Sequence, residues 1–212
     1  MSAGVAVLHL DESCLGNGRE GDNPGGAGGL IEARSGNGRV QRRDFFIHSP
    51  ATTNNRMALS GAIAALQLLA RKGASMRGLI VSDSEYLVRG MREWVPGWAA
   101  RGWKRKGGPI ENLELWQALV QSAKLHEVQW TWVRGHQSHA KNIYADHLAV
   151  SAAHEQRTSE GIVESGFDDW LAEQWAREKF SGYDPDAAFT RLERRIAAGE
   201  PFPLADEASP PS

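Results

Sequence analysis

Three aspartates stand where predicted elements end or pack. Asp11 closes the first extended segment, Asp83 closes the fourth, and Asp146 lies inside the last helix of the main body. A carboxylate at the carboxyl end of a buried strand is costly unless it is hydrogen-bonded or holds a metal. Two adjacent parallel strands would bring Asp11 and Asp83 within reach of one ion, and ligands that are all oxygens favour Mg2+ or Mn2+. Each aspartate alone also reads as a turn or capping residue. Three together, with His136 in a Gly-His loop nearby in sequence, point to a metal-dependent site.

A second concentration of chemistry lies between them. Arg89, Arg92, Arg101, Lys104, Arg105 and Lys106 share a short stretch with Trp94, Trp98 and Trp103. Basic and aromatic side chains interleaved in this way suit a phosphate backbone. The plainer alternative is a solvated helix face over core tryptophans.

The elements that must position these groups follow from periodicity and punctuation. Extended segments at 5–10, 27–33 and 40–48, separated by Gly, Asn and Pro clusters, read as an antiparallel three-strand meander. Residues 54–72 carry Leu59, Ile63, Leu66 and Ala70 at helical spacing, with Asn54 or Asn55 available as N-cap. A short apolar strand at 78–82 follows, then helical patterns at 84–93 and 110–124, an alternating strand at 128–133 and a helix at 139–154. The order predicts an α/β fold: a five-stranded mixed sheet, three antiparallel strands and then parallel ones, flanked by helices. The expected division is a catalytic domain over 1–155 and an acidic C-terminal extension over 156–212. In the extension, 161–166 reads as a linker, 167–180 and 186–198 as short amphipathic helices, and the final PFPLADEASPPS as disordered.

Composition narrows the setting. The chain has 212 residues, 41% hydrophobic and 24% charged, enough for one ample core. No run is long and apolar enough to span a bilayer, and no signal peptide is visible, so a soluble cytoplasmic protein with no membrane partner is expected, acting as a monomer. A single cysteine, Cys14, excludes an internal disulfide, and CxxC zinc pairs are missing. Residues 1–155 hold 18 basic against 14 acidic side chains, whereas 156–212 hold 6 against 12. The body is mildly basic and the extension acidic.

Beyond single residues, whole stretches resemble the cellular type 1 ribonuclease H family of bacterial enzymes: LDESCLGN (10–17), PGGAGG (24–29), TTNNRM (52–57), SDSEYL (82–87), GMREWVPGWAARGWKRKGG (90–108), NLELWQAL (112–119) and WTWVRGHQSHAKNIYADHLA (130–149). The resemblance covers about residues 4–154, and the family's ribonuclease H-like fold has the element order read above. It implies an endoribonuclease that hydrolyses the RNA strand of RNA–DNA hybrids. Asp11, Asp83 and Asp146 match carboxylates that bind two Mg2+ ions, Mn2+ being able to substitute, about 3.5–4 Å apart at the scissile phosphate. His136 matches a loop histidine that assists proton transfer or product release. Cys14, Asn17, Thr53, Asn54 and Asn55 match positions that meet the hybrid at 2′-hydroxyls, base edges and a DNA phosphate. Trp94, Trp98, Arg101, Trp103, Lys104, Arg105 and Lys106 match the family's substrate handle.

The chain also departs from the family. The glutamate that should follow Arg56-Met57 is Ala58, which removes a fourth carboxylate and implies, as an alternative function, a hybrid-binding protein with impaired or lost cleavage. Glu12 stands where glycine is usual, beside Asp11, and Glu85 where glutamine is common. The first loop is long and adds Arg19, Glu20 and Asp22. Alternation along a strand turns Glu12 away from Asp11. Glu12 therefore joins the metal set only if the strand end bulges, which Ser13 and the Gly-rich loop permit; otherwise it is a solvated loop acid.

Overall fold

The structure, a computed structural model, describes residues 4–16, 23–71, 75–135 and 139–205. Strands β1 (Gly4–Cys14), β2 (Gly25–Arg34) and β3 (Val40–Ser49) form the expected antiparallel meander. Strands β4 (Met76–Ser82) and β5 (Glu127–Trp132) join it in parallel on the far side of β1. Val7, Leu8, Leu79 and Ile80 are fully buried, as strands covered on both faces require. The sheet has six strands, not five, in the order β5-β4-β1-β2-β3-β6. The sixth, β6 (Val163–Glu164), falls in the stretch expected to be a linker and pairs with β3 through Arg43 and Asp44.

Alternation along β1 assigns its side chains to two faces. Leu8 and Leu10 share a core with Ala58, Leu59, Ala62 and Leu66 of helix α1 (Asn54–Ala70) and with Trp116 and Leu119 of α4 (Leu113–Ala123). Val7 faces the opposite way, with Leu79 and Val81, against Phe189 and Ile196 of α7 (Pro185–Ala197) and Phe202. On that second face, α5 (Ala140–Glu155) lies across β1 and β2. Leu30, Ala140 and Tyr144 share a third cluster with Phe167 and Leu171 of α6 (Phe167–Ala176).

Two further segments differ from expectation. The helix expected over 84–93 is α2 (Glu85–Arg89) leading through a π-helical turn at Gly90–Trp94 into α3 (Val95–Ala100). Pro96 offers no N–H and crowds the carbonyl four residues back, so the preceding turn widens. Residues 201–205, expected to be disordered, lie along β5: Trp132 N donates to Leu204 O at 2.7 Å, Ala205 bridges to Trp132, and Phe202 is buried. No described helix is long and apolar enough to cross a membrane.

Candidate active site

Strand lengths create the site. The parallel pairing of β1 with β4 ends at Leu10 and Ser82, while β1 continues paired to β2 as far as Cys14. Past Leu10 the β4 side of β1 is therefore open, and Asp83, the first residue beyond β4, stands at that opening. Asp11, Glu12 and Asp83 each present a carboxylate oxygen, all within 4.8 Å of one another. Glu12 joins this group without a bulge, because the register with β2 is unbroken through Glu12↔Ala27. Its carboxylate hydrogen-bonds the side chain of Ser84 just past Asp83. The early end of β4, and not a kink in β1, lets side chains from both faces of β1 meet.

Concentrated charge has the expected electrostatic consequence. Burial pushes the Asp11 carboxyl up to about 9, helped by the charges of Asp83, Glu12 and Asp146 and opposed by the Glu12 N–H, which donates to Oδ1 at 2.7 Å. Burial and then Asp83 push Glu12 up to about 8, against the Ser84 hydrogen bond. Asp11 Oδ2 is buried with no hydrogen-bond partner among the described residues. A bare buried oxygen between like charges is satisfied by a hard divalent cation, so this donor set fits Mg2+ or Mn2+.

A pH dependence follows. Both carboxyls hold protons below their raised pKa values, and a cation binds only their ionised forms. Apparent Mg2+ affinity should therefore climb as pH rises from 6 toward about 9, by up to about tenfold per pH unit for each proton released. Without the cation the sign reverses for folding: the folded chain holds protons that the unfolded chain has already lost, so stability falls as pH rises from the ordinary carboxylate range through about 9. Calorimetric Mg2+ titrations at several pH values check this; a pH-independent affinity would contradict it.

Asp146 reaches the same field from α5, half-buried, and its charge is among those that raise Asp11. Glycines set how close that helix comes. A Cβ on Gly28 would lie 2.6 Å from Leu148 Cβ and 2.7 Å from Ala145 O, and Gly26 is equally crowded by the backbone of Ala149. These positions of the PGGAGG stretch let α5 rest directly on β2. Gly135 plays a similar part for Asp83: a Cβ there would collide with Oδ2 of the aspartate. Ser84 and Gly135 were not singled out from the sequence, although both sit beside motif residues. His136 and Asn17 lie outside the described residues, as do Arg19, Glu20 and Asp22.

The residues matched to hybrid contact flank this centre. Cys14 Sγ donates to Thr52 O at 3.4 Å, which ties the end of β1 to the loop before α1. Thr53 caps α1, its side chain accepting from Arg56 N at 3.4 Å. Asn54 and Asn55 are half-buried, and Asn54 Oδ1 is buried without a hydrogen-bond partner among the described residues. Ala58 is buried one turn later, in the core shared by α1 and β1.

The basic and aromatic stretch divides by role. Trp94, Trp98 and Trp103 pack partly into the core, with Trp94 and Trp98 also against Tyr86 or Trp116 at ring separations of 5.8–6.5 Å. Arg92, though exposed, lies against the edge of the sheet and donates to the carbonyls of Trp130, Phe202 and Pro203 at 2.7, 3.0 and 2.8 Å. Arg89 pairs with Glu93 at 3.4 Å and with Glu85 at 3.9 Å, which turns the unusual Glu85 toward a cation. Arg101, Lys104, Arg105 and Lys106 are exposed and line a hollow of about 470 Å3. Arg101 and Arg105 also line a neighbouring 530 Å3 hollow floored by Trp94 and Trp98.

Comparison with known proteins identifies the family of this fold. Curated proteins named "Ribonuclease H" match well: that of Aromatoleum aromaticum is 43% identical over 143 residues, 67% of this chain and 86% of its own. That of Methylococcus capsulatus is 39% identical over 159 residues, 74% and 95% of the two chains. A crystal structure described as LC9-RNase H1, "a type 1 RNase H with the type 2 active-site motif", is 47% identical with a TM-score of 0.80, covering 100% of this chain and 99% of its own. The sequence model of the RNase H family matches residues 4–154, the span that holds β1 to β5, α1 and the acidic centre. The chain belongs to the ribonuclease H family.

Proposed function

We propose that the protein is an endoribonuclease that cleaves the RNA strand of RNA–DNA hybrids with Mg2+, or Mn2+ in its place. The observation that carries this reading is the convergence of Asp11, Glu12 and Asp83, with a bare oxygen on Asp11, inside a ribonuclease H fold. Asp11, Asp83, Asp146 and Glu12 would hold the divalent ions. When bound, a pair of such ions supplies activation of water and stabilisation of the leaving 3′-oxygen.

The chain's own residues do the rest. Burial of Asp11 keeps bulk water and salt from screening the field of the carboxylates at a bound cation, and Ser84 fixes the Glu12 carboxylate. Gly135 leaves the space that Asp83 fills, and His136, the next residue in sequence, would carry a proton to or from the reacting strand. Cys14, Asn17, Thr53, Asn54 and Asn55 would read the minor groove, where 2′-hydroxyls distinguish RNA from DNA. The exposed cations of the handle, with the Trp94 and Trp98 floor, would take the backbone phosphates.

Cleavage of a labelled hybrid in Mg2+ and in Mn2+, with a binding assay beside it, tests this directly. Cuts confined to the RNA strand and dependent on metal support the enzyme. Ala58 favours a second reading, a hybrid-binding protein without efficient cleavage, and tight binding with no cutting in either metal would establish it. For the handle, replacing Arg101, Lys104, Arg105 and Lys106 with alanine should weaken binding and flatten its salt dependence, by about 0.7–0.9 log units per lost phosphate contact. An unchanged slope would return these cations to a solvated surface.

A further inference from the structure

Asp146 is the one carboxylate of the proposed metal set that comes from a helix. It depends on the placement of α5, whose contact with β2 is alanine against glycine at Gly26 and Gly28. Such a contact fixes depth, but it offers few ridges and grooves to resist sliding or rotation. What fixes α5 along its axis is polar: Asn142 Nδ2 donates to Leu10 O at 3.3 Å, and Lys141 and Tyr144 enter two junctions with the strands that the chain beyond residue 155 completes.

Two buried junctions meet the first half of α5. At the first, Glu32, fully buried on β2, accepts from Lys141 Nζ of α5 at 2.7 Å and from Arg42 Nε of β3 at 3.1 Å, with His9 Nε2 at 3.4 Å. The extension completes it. Arg42 continues to Asp168 of α6 at 3.0 Å and to Asp186 of α7, and Lys141 also donates to Pro185 O at 2.9 Å. At the second, Asp44 of β3 accepts from Tyr144 Oη of α5 at 2.6 Å, and from Ser165 Oγ and Gly166 N of the extension at 2.7 and 3.0 Å. The Tyr144 ring meets Phe167 edge-on at 5.3 Å and lies 5.4 Å from Trp170. Lys141 and Tyr144 are neighbours on one side of the helix, five and two residues before Asp146.

We propose that the C-terminal extension is a positioning brace for the metal site: residues 165–186, acting through Lys141 and Tyr144, hold α5 in register so that Asp146 meets the ions held by Asp11 and Asp83. The inference rests on the reading of Asp146 as a metal ligand. Buried ion networks of this kind add little stability over apolar packing of the same shape. They do specify position, because each bond has a direction and a length. Displacements near 1 Å at a reacting centre cost about 10²-fold in rate.

The test pairs two ways of loosening the brace in the full-length chain. Tyr144→Phe with Ser165→Ala removes two hydroxyls from Asp44 and keeps the rings packed. Asp168→Ala with Asp186→Ala removes two largely exposed partners of Arg42 and decides the matter where the first pair fails to fold. Folding is checked by circular dichroism and thermal melting, and hybrid cleavage is followed across Mg2+ concentration. The brace predicts a folded protein with hybrid KM unchanged, kcat reduced, and the Mg2+ concentration for half-maximal rate raised about tenfold or more, as loss of supports behind metal ligands does elsewhere. A lower melting temperature with unchanged kcat and Mg2+ requirement would overturn the proposal. Asp146→Asn run in parallel separates the two levels: full activity in that variant would remove the ligand reading itself, whereas its inactivity beside unaffected brace variants would remove only the brace.

Discussion

Asparagine at position 83 should abolish cleavage, by about 10³-fold or more, while hybrid affinity stays equal or rises. The substitution is nearly isosteric, so it should leave the close approach of Gly135 and the bond from Trp132 Nε1 to the Asp83 carbonyl at 2.9 Å undisturbed. It removes one charge from a group of three carboxylates within 4.8 Å. A metal ion contributes several kcal/mol of charge stabilisation in the transition state, and each 1.36 kcal/mol is a factor of about ten. The affinity has the opposite sign because a negative charge has left the neighbourhood of the scissile phosphate.

The same variant should melt higher than the parent in chelator. Asp83 is the largest charge effect raising both Asp11 and Glu12, so neutralising it relieves repulsion that the metal-free fold carries. The parent, in turn, should be stabilised by Mg2+ and the variant much less so. Metal-dependent thermal shifts, a kinetic assay and a binding isotherm together check the prediction. Weaker binding with unchanged turnover would show that Asp83 serves the substrate and not the metal.

How far the sequence carried these conclusions depends on what sets each feature. Alternation and apolar runs located β1 to β5 and the main helices, because those patterns are dictated by burial on two faces. The cap of α1 was legible only to the neighbouring residue: Asn54 or Asn55 reads as the N-cap, whereas Thr53 takes that place and accepts from Arg56 N. The sixth strand was not legible: Val163 and Glu164 are too few to show a period, and they pair only because α6 and α7 anchor the extension on the sheet. Residues 201–205 look like tail by composition, yet the free edge of β5 and the three carbonyls gathered by Arg92 fix their place. The π-helical turn had a visible cause in Pro96, but periodicity alone reads through it as helix. Glu12 was the hardest case, since pleat alternation argued against it and only the relative lengths of β1 and β4 resolve the conflict.

That resolution leads to the expectation that Glu12 does the work of the carboxylate missing at 58. Glu12 lies on the face of β1 that carries Leu8 and Leu10, which is the face packed against α1 and its buried Ala58. A glutamate at 58 would approach the site from that side. The objection from alternation thus becomes an argument for replacement: Asp11 addresses the α5 side, Glu12 the α1 side, and the open edge beyond Ser82 lets both reach Asp83. The half-buried Glu12 carboxyl, held by Ser84 and raised to about 8, is not in the state of a solvated loop acid.

A double-mutant cycle on cleavage rate with Glu12→Gln and Ala58→Glu measures the coupling. Glutamine keeps the side-chain length and a hydrogen bond to Ser84, so backbone effects of a smaller residue are avoided. In the Ala58 parent, Glu12→Gln should cost about 10²-fold or more in kcat with little change in KM, the signature of an interaction made in the transition state. With glutamate restored at 58 the same change should cost a fewfold at most. Ala58→Glu alone should lower the melting temperature in chelator, because it adds another acid beside carboxyls already raised to about 9 and 8, and Mg2+ should recover the loss. Equal costs of Glu12→Gln in both backgrounds would show that the two acids act independently, and Glu12 would then be no substitute for the residue lost at Ala58.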